Sequence, residues 1–72
     1  MAPISTELRK DAGEAFYAYE QVVVVRLLKR PTWKLDAAPL ERVLTADDEG
    51  KVREFIEDMR RARADLLNSV IA

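Results

Sequence analysis

The sequence predicts an all-α protein: an antiparallel helical hairpin of two long helices with a short connecting helix, completed to a four-helix bundle by self-association. Three observations lead there. Residues 51 to 70 place Val52, Phe55, Ile56, Met59, Ala62, Leu66, Leu67 and Val70 at intervals of three and four, the spacing of one helix face. Residues 7 to 30 contain no proline and carry a second stripe of this kind. Apart from one run of four valines, β-branched and aromatic residues cluster nowhere, so the chain offers no second strand to satisfy the backbone groups of a first.

The first helix opens after Ser5 or Thr6, whose side chains can accept a free N–H of the first turn, with Glu7 at the positive end of the dipole. Turning about 100° per residue from Leu8, the residues Ala12, Ala15, Phe16, Tyr19, Val22, Val23 and Leu27 share one broad sector. Pro31 ends the pattern, since it lacks an N–H and biases Arg30 away from helical angles. "TWKLD" reads as a connector. "DAAPLERVL" reads as about two helical turns, with Asp36 as N-cap, Pro39 in the first turn, and Leu40, Val43 and Leu44 facing inward.

"TADDEGK" sets a capping threonine, Thr45, before Asp47, Asp48 and Glu49, the composition favoured at the start of a helix, although Gly50 weakens the first turn. Two helices of about 20 to 25 residues are about 30 to 37 Å long at 1.5 Å per residue. Packed antiparallel, they bring Phe55, Ile56, Met59 and Leu66 opposite Phe16, Tyr19, Val23 and Leu27. No internal repeat or boundary interrupts residues 1–72, which form a single small domain.

"EQVVVVRLLKRP", residues 20–31, is the stretch where helix and strand compete. Each valine costs up to about 0.7 kcal/mol in a helix relative to alanine. Burial of a valine or leucine side chain contributes about 1.5 to 3 kcal/mol, which outweighs that cost. Helix is therefore the expectation, with a strand paired between two chains as the alternative. A helix through this run is apolar on two sides, because Tyr17, Val24, Val25 and Leu28 fall outside the sector of Leu8. Either the short middle helix folds back over that second face or another chain covers it. The expected protein interface is Tyr17, Gln21, Val24, Val25 and Leu28, with Glu20 beside Gln21 at the seam edge.

Size and composition point the same way. A chain of 72 residues buries only about 60% of its unfolded surface and is marginally stable alone. It has neither cysteine nor histidine, so disulfides and the favoured zinc ligands are absent, and association remains as the common source of support. With 12 basic and 13 acidic residues the net charge of −1 gives no bulk attraction to nucleic acid or anionic lipid. "MAPISTELRK" has no apolar leader-like segment and Arg26 interrupts the valines, so a cytoplasmic chain with no membrane contact is expected.

Catalysis is poorly provided for. Nucleophilic chemistry would rest on Ser5 or Ser69, neither with a base patterned beside it. The acidic run at 47–49 lacks the spacing of a calcium loop and reads as capping. No catalytic residue, metal, cofactor or small-molecule substrate is expected. "RRAR" at 60–63 is offset by Glu57 and Asp58, with Glu57–Arg61 and Glu49–Arg53 spaced for i,i+4 pairs. Arg63 lies in the apolar stripe, where it either pairs with Asp11 or Glu14 or lays its stem over the core.

The uncompensated basic stretch is "RLLKRPTWK". Arg26, Lys29, Arg30, Trp33 and Lys34 are the candidates for nucleic-acid contact, since cations interleaved with an aromatic hold phosphate and stack a base. The simpler account makes the cations a helix C-terminal complement and Trp33 a plug for the hairpin end. The functional expectation is a non-enzymatic helical interaction module, an assembly subunit, adaptor or inhibitor that self-associates or docks on a larger protein through helix 1. A small nucleic-acid-binding regulator is the alternative.

Overall fold

Ser5 opens the first helix, α1 (Thr6–Gln21): its hydroxyl accepts the Leu8 N–H at 3.1 Å, and Glu7 lies in the first turn. The computed structural model describes residues 4–46 and 48–71, with residues 70 and 71 described by backbone alone. Beyond α1 follow a π-helical segment (Val22–Leu27), α2 (Ala38–Thr45) and α3 (Glu49–Ile71), and the described residues include no strand. The valines are therefore helical, and the alternative of a strand shared between chains is set aside.

The helix changes its winding in the valine run, and the side chains explain why. Continued at about 100° per residue, the α-helix would bring Arg26 back to the azimuth of Leu8, inside the core, and carry Val24 about 160° away from it. A π-turn closes five residues back and takes more residues per turn, so each residue advances by a smaller angle. Arg26 thereby moves off the azimuth of Leu8 and stays in solvent, while Val24, one turn beyond the buried Glu20, is 0% exposed. Keeping the guanidinium in water offsets the poorer π geometry.

The wide turn persists through the end of the helix. Leu28 N–H donates to Val23 O at 2.9 Å, five residues back, and Arg30 N–H donates to Val24 O at 2.7 Å, six back. Between them Lys29 adopts φ 58°, the left-handed conformation that usually falls to glycine at a helix end. Lys29→Gly is expected to raise stability by about 0.5 to 1 kcal/mol, moving the thermal midpoint up by several degrees. A calorimetric scan of the variant checks it, and a lowered midpoint would contradict this strain.

Residues 28–37 then run back along the helix they have left. Arg30 is held at the level of Val24, and Leu35 N–H donates to the Glu20 carboxylate at 2.8 Å. Glu20, expected at the edge of a seam between chains, is 5% exposed within its own chain and holds the returning strand of backbone. This connector, rather than α2, closes over the valine face: α2 touches α1 and α3 but not the π segment.

Asp36, expected as the N-cap of α2, stands one residue too early: the N-cap is Ala37, with no side-chain capping bond, and Asp36 accepts only the Ala38 N–H at 3.0 Å, with Pro39 in the first turn. Thr45, expected to cap α3, instead turns its hydroxyl back to Glu41 O at 2.8 Å and Arg42 O at 3.2 Å. Asp48 takes the capping role, accepting the Lys51 N–H at 3.3 Å. Asp47 of the same run lies outside the described residues.

The chain reverses between the end of α2 and the start of α3. The two long helices pack side by side, but in the same direction. Leu8 and Asp11 share a cleft with Arg53, Ile56 and Arg60, Ala15 and Ala18 one with Arg60 and Arg63, and Gln21, Val22 and Val25 one with Arg63. Residue numbers rise together on both helices, which corrects the expected antiparallel pairing of α1 with α3. The cause is the connector and α2 together: the connector runs back as far as Glu20, and α2, packed on α1 and α3, carries the chain on toward the start of α1 before α3 begins.

The core joins Ile4, Leu8, Ala12, Ala15 and Phe16 to Val52, Phe55 and Ile56, with Leu35, Leu40, Val43, Leu44 and Met59 packed around it. Phe16 and Phe55 stack at 6.4 Å between centroids with planes 18° apart. Several expected core positions are less covered, Tyr19 and Met59 being half-buried. Leu27 is 53% exposed, since the chain turns away at Leu28 and leaves it uncovered, and Leu66 is only half-buried. The side chain of Val70 lies outside the described residues.

Candidate interaction surface

The large hydrophobics that the described fold leaves in solvent are Tyr17 (56%), Val25 (44%), Leu27 (53%), Leu28 (42%) and Trp33 (56%), all between positions 17 and 33. Three of the expected interface residues, Tyr17, Val25 and Leu28, are among them, and Gln21 is half-exposed. Val24 is not: it is fully covered by its own chain and is unavailable to a partner. Leu27 and Trp33 join the surface instead. Their sequence signal was periodicity for Leu27 and an aromatic in a connector for Trp33, and neither shows whether anything packs opposite.

Winding arranges this face. Tyr17 and Gln21 are four apart on α1, and the reduced advance per residue in the π segment keeps Val25 close to their line. Beside them runs a shallow cleft lined by Ala18, Gln21, Val22, Val25, Arg26 and Arg63. Arg63 is exposed there and makes no ion pair with Asp11 or Glu14, although all three border a second cleft. It therefore extends along the groove between α1 and α3 rather than into the core.

The basic stretch is assembled at the end of helix 1. Arg26, Lys29, Arg30 and Lys34 are all exposed. Trp33 N–H donates to Arg30 O at 2.9 Å, closing a four-residue turn with Pro31 in its second position. The Arg30 guanidinium lies 5.6 Å from the Trp33 ring centroid, a cation–π contact that occupies one ring face. Trp33 thus stands in solvent and does not plug the end of the bundle.

On α3, Arg53 pairs with Glu49 at 2.7 Å as the spacing expects, while Arg61 approaches Asp58 at 3.9 Å rather than Glu57. Both pairs are exposed and contribute little. Among the described residues no group of three His, Cys, Asp or Glu side chains could hold a metal ion, and no helix is long and apolar enough to cross a membrane. Comparison with protein-family models, with curated proteins and with solved structures finds no significant match to this chain.

Proposed function

We propose that this protein is a non-enzymatic helical interaction module that self-associates or docks on a larger protein through α1 and its π-helical continuation. One observation carries the reading: every large hydrophobic exposed among the described residues falls within residues 17–33. Scattered exposed hydrophobics are ordinary, but confinement to one stretch is the mark of a surface built to be covered. A marginally stable chain of this size gains from such cover. Two copies meeting along the strip of Tyr17, Gln21 and Val25 would set four long helices together, and an antiparallel approach would keep their basic ends apart.

Sedimentation velocity on the parent and on Tyr17→Glu with Val25→Glu tests this. Both positions are exposed, so the variant is expected to keep its helical circular dichroism. A parent heavier than the 8.2 kDa monomer, or bound to a protein from its source, with either state lost in the variant, supports the proposal. A parent that stays monomeric at millimolar concentration and retains the same proteins as the variant overturns it.

A further inference from the structure

We propose that the turn ending helix 1 is a peripheral docking point for an anionic lipid bilayer, a role separate from the Tyr17–Val25 strip. Leu27, Leu28 and Trp33 stand 53%, 42% and 56% exposed around the point where the helix stops and the connector turns back. Arg26, Lys29, Arg30 and Lys34, all exposed, are interleaved with them along residues 26–34, and the sequence has no acid between Gln21 and Leu35. An apolar tip in a cationic collar matches the two layers of an anionic membrane surface. Leucines enter the acyl boundary, tryptophan sits at headgroup level, and lysine and arginine meet phosphates and carboxylates.

The chain's net charge of −1 argues against lipid only in bulk, because a surface potential acts over about a Debye length and therefore on the local patch. Two other occupants fit less well. A second copy bound tip to tip would bring two cationic collars together. Nucleic acid would engage the cations but leave Leu27 and Leu28 in water, and Arg30 already covers one face of the tryptophan.

Trp33 is the single tryptophan of the chain, so its emission reports the tip directly. The intact protein is titrated with vesicles of phosphatidylcholine containing 30% phosphatidylserine, and with phosphatidylcholine alone. A blue shift with the anionic vesicles, deepened quenching by brominated acyl chains and much weaker binding to neutral vesicles are expected. Each cation near an anionic surface raises partitioning about fivefold, so Arg26→Glu with Lys34→Glu should lower it at least about 25-fold. Neither substitution touches the Lys29 backbone or the Arg30–Trp33 contact. Leu27→Ser with Leu28→Ser should abolish the blue shift, with far-ultraviolet circular dichroism confirming that the helices remain. Absence of binding to anionic vesicles at millimolar lipid, or equal binding to neutral ones, would overturn the proposal. So would submicromolar binding of single-stranded or duplex DNA at physiological salt that depends on the same cations.

Discussion

Phe55→Ala is expected to leave the protein largely unfolded or close to it. Phe55 is 8% exposed, stacks on Phe16 and sits where the start of α1, α2 and the first turns of α3 converge. Removing a buried phenylalanine costs about 3 to 5 kcal/mol, as lost transfer energy and as the cavity left behind. At about 0.05 to 0.15 kcal/mol per residue a chain of this length has little more than that to lose. Leu66→Ala, at a half-buried site near the other end of α3, is expected to cost clearly less. Urea melts of the two variants settle the order. If Phe55→Ala melts at the parent midpoint, or Leu66→Ala proves the more damaging, the core does not lie where the structure places it.

Val24→Glu is expected to be nearly as severe. Val24 is 0% exposed, and the buried Glu20 carboxylate lies one turn before it on the same helix. A glutamate there would place a second carboxylate in a desolvated site beside the first, at a cost of several kcal/mol. Val25→Glu, one residue on and 44% exposed, should be nearly neutral for folding. The contrast marks the side of the helix that the returning connector covers, on which Glu20 and Val24 lie one turn apart. Circular dichroism and denaturant midpoints of the two variants make the comparison. A folded Val24→Glu with an unchanged midpoint would mean that this side of the helix is not covered as described. The same result shows why this substitution does not probe a partner: it strikes the monomer first.

Much of the local structure was legible in the sequence. The apolar spacing of residues 51–70 anticipates α3, and Ser5 and Pro39 mark helix starts because these signals act within two or three residues of the groups they serve, whereas the cap expected at Asp36 falls on Ala37. Pro31 places the end of the first helix to within a few residues. The misses share one property. Thr45 and Asp48 both have the chemistry of a cap, and which one serves depends on where α2 stops. Glu20 reads as a surface acid until Leu35 returns to it from fifteen residues away. Ile4, 6% exposed, stands alone ahead of the first stripe and joins the core only because α3 begins alongside it.

By itself, then, the sequence determined the helical class, the number of helices and which faces are apolar, because these follow from interactions within about one turn. Tertiary structure alone decided three things: that α1 and α3 run parallel, that Glu20 and Val24 are buried while Arg26 stays in solvent, and that Leu27 and Trp33 are left exposed. Each depends on what lies opposite a side chain once the connector has doubled back. That is a matter of distant residues meeting, and periodicity along one helix carries no record of it.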